Sequence, residues 1–120
     1  MLIRNLNDCE EFVAGDGTLL RELLHPDKQD VALRYSFAHA IIPPGKTSIA
    51  HSLTTSEIYY ILSGRGEMHI DGETEAIEPG DLVYIPPNAK QYAHNPGPEP
   101  LVFICIVDPA WKLEDETVYE

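Results

Sequence analysis

From Pro43 to Pro109 the chain is cut into short runs by glycine and proline turns, and no run is long enough to offer a helix a buried stripe. The breaks fall at Pro43-Pro44-Gly45, Gly64-Arg65-Gly66, Asp71-Gly72, Pro79-Gly80-Asp81, Pro86-Pro87-Asn88 and Pro96-Gly97-Pro98. Proline removes a ladder donor, and glycine supplies the backbone angles that tight turns need. Turns recurring roughly every eight to twelve residues around short apolar segments are the pattern of an all-β sandwich or barrel.

The segments between the breaks read as strands. Thr18–Leu24 carries four leucines without clean alternation, which suggests a bulged strand stopped by Pro26. Val31–Ile42 alternates, with Leu33, Tyr35, Phe37, His39 and Ile41 on one face. That face is the more aromatic, so His39 is expected to point inward. Ile49–Leu53 is short. Glu57–Leu62 carries large groups on both faces and is expected between other strands or at a subunit contact. Glu67–Ile70 and Glu73–Ile77 flank Asp71-Gly72, a strong hairpin signal. Leu82–Ile85 follows, then a short polar piece, Lys90–His94. Leu101–Val107 is almost wholly apolar and reads as a central strand.

Length and charge bound the rest. The 120 residues suit one domain, residues 1–120, with residues 1–17 and 109–120 as flanking arms. The net charge of −12 opposes nucleic acid or an anionic membrane as partner, but leaves open a small ligand read by a local pocket. Two cysteines, Cys9 and Cys105, form no disulfide framework. No basic-then-apolar leader and no membrane-length window occurs, so a cytoplasmic location is expected. Trp111, beyond the last strand, is expected to cover an open end of the barrel or meet a second subunit.

The spacing of particular residues resembles the cupin superfamily. Its first motif places a glycine, then His-X-His, then Glu, then Gly. Gly45, His51, Glu57 and Gly64 stand at those places, and Leu53 stands where the second histidine would be. In the second motif Gly80, Pro86 and Asn95 match, Asn88 takes the turn-glycine position, and Gln91 takes the histidine position. The resemblance implies a double-stranded β-helix, the jelly-roll barrel, with polar side chains inside, and commonly a homodimer.

In metal-bearing cupins the two histidines, the glutamate and the second-motif histidine hold one divalent ion, typically iron, manganese, nickel or zinc. Carried onto this chain, the resemblance leaves His51, Glu57 and Gln91 as a reduced ligand set. The amide is the poorer donor toward transition metals. The other reading has no metal. A buried carboxylate needs a partner or a raised pKa, so Glu57 with His51 would be an acid–base pair. His39, Leu53, Tyr59, Tyr84 and His94 are the expected pocket residues, His94 only if a bulge turns it inward. Three functions stand open: a barrel binding a small polar or aromatic metabolite, a metal-dependent dioxygenase or isomerase, and a non-catalytic sensor or structural homodimer.

Overall fold

The computed structural model describes residues 1–120. Eleven strands carry the fold: β1 (Phe12–Val13), β2 (Leu19–Leu24), β3 (Ser36–Ile42), β4 (His51–Leu53), β5 (Ser56–Ser63), β6 (Gly66–Ile70), β7 (Glu73–Ile77), β8 (Leu82–Ile85), β9 (Gln91–His94), β10 (Leu101–Asp108) and β11 (Glu116–Val118). Helix is confined to two 3-10 turns, Leu6–Asp8 and Leu113–Asp115. None is long and apolar enough to cross a membrane.

The strands form a six-stranded sheet, β1-β2-β3-β10-β5-β8, and a five-stranded sheet, β11-β4-β9-β6-β7. This is the all-β jelly-roll barrel. The core lies between the sheets, drawing Ala40, Ile42, Ile61, Leu101 and Phe103 from one and Met68, Ile77 and Ala93 from the other. As its apolar composition suggests, β10 is central, paired with β3 on one side and β5 on the other. The expected irregularity of β2 is a register shift between Glu22 and Leu24.

Asp71 and Gly72 join β6 to β7 with φ of 48° and 85°, the left-handed pair that a tight hairpin needs. Gly64 turns the chain with φ of 80°, and a Cβ there would collide with the Pro100 carbonyl. Only glycine satisfies both demands.

Two orientations differ from the sequence expectation. Strand β3 begins at Ser36, so Val31–Tyr35 lies outside it. Its inward face is Ser36, Ala38, Ala40 and Ile42, and His39 faces outward with Phe37 and Ile41. The cause is a roof over the outer face: Leu2 and Arg4 lie with Leu23, Leu24, Val31 and Phe37, and Arg4 Nε donates to the Leu23 carbonyl at 2.9 Å. With that cover, large apolar groups sit outside and small ones fit within the narrow barrel. His39 is left with a buried Nδ1 that has no hydrogen-bond partner. Tyr84 also points outward, exposed beside Leu82 on the edge strand β8, because Val83 and Ile85 take the inward positions.

Both terminal arms are built into the barrel. β1 pairs with β2, and β11 pairs with β4. Ser52 Oγ and the Tyr119 hydroxyl, 2.9 Å apart, tie the C-terminal arm to β4.

Candidate functional site

Inward positions of β4, β5, β9 and β10 converge at one end of the barrel. His51 lies opposite Gln91 across the β4–β9 pair. Glu57 and Tyr59 point in from β5, and Cys105 from β10. His51, Glu57, Tyr59 and Cys105, together with Asp16, Leu53, Phe103 and Trp111, border a cavity of about 310 Å³, whereas Gln91 is fully buried and does not line it. Phe12, Val13 and Lys28, all exposed, lie at its rim.

The polar groups form one chain of contacts. The Tyr59 hydroxyl donates to Gln91 Oε1 at 2.9 Å, and Gln91 Nε2 donates to Glu57 Oε1 at 2.6 Å. The Cys105 thiol donates to Glu57 Oε2 at 2.7 Å. Glu57 is 5 % exposed, and burial pushes its carboxyl above the ordinary glutamate range, while the Cys105 and Gln91 donors pull part of the way back. Burial, followed by the Glu57 charge, pushes the Tyr59 phenol and the Cys105 thiol well up, so both remain neutral donors. A carboxyl raised by burial and held at a cavity wall is suited to taking and returning a proton.

His51 supplies a second group. Its Nδ1 lies 2.9 Å from the Ile49 carbonyl, which can only accept, so Nδ1 carries a proton. Its Nε2 lies 3.6 Å from Asp16 Oδ2, outside hydrogen-bond distance. Asp16 is itself fixed, because Oδ1 accepts from the Thr18 amide at 3.1 Å and the Thr18 hydroxyl at 2.7 Å.

The remaining residues expected at the site divide cleanly. Leu53 and Tyr59 line the cavity. His39 and Tyr84 are on outer faces, as described. His94 alternates away from Gln91 and pairs its Nδ1 with the Thr47 hydroxyl at 2.6 Å; no bulge turns it inward. Asp16, Cys105 and Glu116 are site residues that sequence reasoning did not place there. Asp16 lies between β1 and β2 and Glu116 on β11, so only the pairing of the arms brings them to the cavity. Trp111 covers this end. Its amide donates to Ser36 Oγ at 3.0 Å, and its carbonyl receives a contact from buried His25 Nε2 at 2.8 Å.

A divalent ion can be tested against these donors. Both Glu57 oxygens are engaged by Gln91 and Cys105, and the Gln91 amide oxygen is engaged by Tyr59. Leu53 presents hydrocarbon where a ligand nitrogen would be needed. His51, Glu57 and Gln91 do come together, but the Gln91 amide is committed to Tyr59 and Glu57, which leaves His51 Nε2 and the remaining Glu57 lone pairs, and no three His, Cys, Asp or Glu side chains are grouped to hold a divalent ion.

Comparison with known proteins agrees with this architecture. Residues 38–107 match the cupin domain family. An uncharacterized protein of Methanocaldococcus jannaschii is 39 % identical over 110 residues, spanning 91 % of this chain and 87 % of that one. The glucose-6-phosphate isomerase of Thermococcus gammatolerans is 38 % identical over 85 residues, which is 59 % of this chain but only 45 % of the enzyme. Among solved structures, a cupin 2 conserved barrel domain protein from Salinispora arenicola superposes with a TM-score of 0.78 at 24 % identity, over 95 % of this chain and 91 % of that one, a likeness of fold. The chain belongs to the cupin family.

Proposed function

We propose that this cupin binds a small polar molecule in the barrel cavity and moves a proton on it, in an isomerisation-type reaction. The observation that supports this most is Glu57, a buried carboxyl on a cavity wall, held by two donors and raised by its surroundings. Glu57 would take the proton from carbon next to a substrate carbonyl and return it to the neighbouring carbon. The electron pair rests meanwhile on the enediol oxygen. His51 Nε2 would shuttle the hydroxyl proton. Tyr59 and Gln91 keep the carboxyl oriented, and Leu53 and Phe103 exclude water from its approach. The isomerase among the relatives is consistent with such chemistry, and nothing in the step depends on a metal.

The test is deuterium incorporation. The protein is incubated in heavy water with a panel of aldoses, hydroxy ketones and their amino derivatives, and NMR follows exchange at the carbon beside the carbonyl. Exchange by the wild-type protein, reduced about 10²- to 10⁴-fold in Glu57→Gln, is the expected result. Exchange unchanged by that substitution, or seen on no member, would sink the reading.

A further inference from the structure

The cavity has a marked imbalance of charge and of hydrogen-bonding capacity. Four carboxylates border it, Asp16, Glu22, Glu57 and Glu116, against the single ammonium of Lys28. Lys28 is already paired with Glu22 at 2.6 Å, and it lies at the solvent side with its side chain 63 % exposed. No arginine borders the cavity. The side chains bordering the cavity therefore offer no unpaired cation to a phosphate or carboxylate.

A second observation points to a ligand that donates. The His51 side chain is only 4 % exposed, yet its Nε2 makes no hydrogen bond, with Asp16 Oδ2 standing 3.6 Å away. With Nδ1–H committed to Ile49, Nε2 is turned toward the cavity that Asp16 also borders. A ligand N–H or O–H placed there would satisfy imidazole and carboxylate together. The third feature is the wall. Phe12, Tyr59, Phe103 and Trp111 supply aromatic surface, which attracts cations as well as apolar bodies.

From these we infer that the cavity takes a small ammonium-bearing molecule with an apolar or weakly polar body, and rejects anionic ligands such as sugar phosphates. The ammonium lies toward Asp16 and Glu116, and the body lies against the aromatic wall. This assignment rests on the cavity read above as the proton-transfer site, but it is a statement about binding alone.

Trp111 is the only tryptophan and borders the cavity, so its fluorescence reports occupancy at the site itself. The full chain, in EDTA so that the charge read is the protein's own, is titrated with phenethylamine, phenethyl alcohol and hydrocinnamate. The three share one body and differ in their head groups. The amine is expected to bind about tenfold or more tightly than the alcohol, with the carboxylate weaker than both. Asp16→Asn and, separately, Glu116→Gln should each narrow the amine–alcohol gap by about threefold or more, leaving the alcohol's affinity nearly unchanged. Glu116→Gln serves where Asp16→Asn disturbs the turn that it caps. Equal binding of amine and alcohol, preference for the carboxylate, or no binding by any of the three would overturn the inference. Those outcomes concern charge selectivity and leave the deuterium-exchange result to decide the proton-transfer reading.

Discussion

The two ends of this barrel bury polar side chains on opposite terms. At the closed end Asn95 is fully buried, and its amide donates to the carbonyls of Ile42 and Glu99 at 2.9 and 2.8 Å, while its oxygen accepts from the Gly97 amide at 3.1 Å. Every partner is backbone, so the side chain closes a turn and has no group left over. At the cavity end Glu57 is held by side chains, Gln91 and Cys105, and Asp16 and His51 face each other without a bond. The first arrangement pins a chain reversal. The second keeps ionisable groups largely out of water beside a cavity, a destabilising choice that a packed barrel does not require. On the proposed reading, the difference separates stability from chemistry within one small fold.

The closed end should be the sensitive one to loss of volume. Ile61 is 1 % exposed within the cluster of Ile42, Ile85, Leu101 and Phe103. Ile61→Ala is expected to cost about 2–5 kcal/mol, read as a lower urea midpoint with little change in slope. A loss well under 1 kcal/mol would mean that this end is no better packed than the cavity end, and the contrast would fail.

The cavity end should instead be sensitive to donor chemistry. If Leu53 and the spent Gln91 amide are what prevent metal binding, Leu53→His with Gln91→His should restore two imidazoles beside His51 and free the Glu57 oxygen that Gln91 now holds. Nickel or zinc affinity should rise about a hundredfold or more over the parent, equivalent to about 2.8 kcal/mol, with about one equivalent retained by elemental analysis. Parent protein that already retains an equivalent through gel filtration would show that the hydrogen bonds among Glu57, Gln91 and Tyr59 yield to an ion.

Much of this architecture is legible in the sequence, for local reasons. Asp71-Gly72 specifies its own hairpin, and the uniform apolarity of Leu101–Val107 marks a strand enclosed on both sides. The family resemblance maps His51, Glu57 and Gln91 onto one site, although their spacing alone does not prove that they converge. What stayed hidden is non-local. Both faces of Ser36–Ile42 are apolar enough to pass for the inner one, and only the N-terminal segment lying across Phe37 decides against His39. Tyr84 misleads for a similar reason, because aromatic character on an edge strand does not say which side it faces. Asp16 and Glu116 sit in acidic, turn-rich ends of the chain that look solvated, and they reach the site through the pairing of β1 with β2 and of β11 with β4. Cys105 lies in an apolar run, but its bond to Glu57 depends on β10 lying beside β5.

The smallest expected effect separates the two ends most sharply, because it should stabilise the protein. Burial holds the Glu57 carboxyl above its ordinary range, so the folded state keeps that proton more tightly than the unfolded chain does. For a group raised in this way, the favourable contribution is complete below the unfolded pKa and is lost as pH rises through the folded value. Glu57→Gln keeps the shape and the Gln91 contact but has no proton to lose. Its stability should therefore match or trail wild type near pH 4 and exceed it at higher pH, the gap growing by about 1.4 kcal/mol per pH unit between the two pKa values and then levelling. Urea unfolding across that range measures the gap directly. Parallel curves would mean that Cys105 and Gln91 stabilise the carboxylate as fully as water does, and the cavity end would then carry no strain for chemistry to use. A gap that opens with pH would instead identify Glu57 as a carboxyl kept ready to hold and release a proton at the cost of the fold around it.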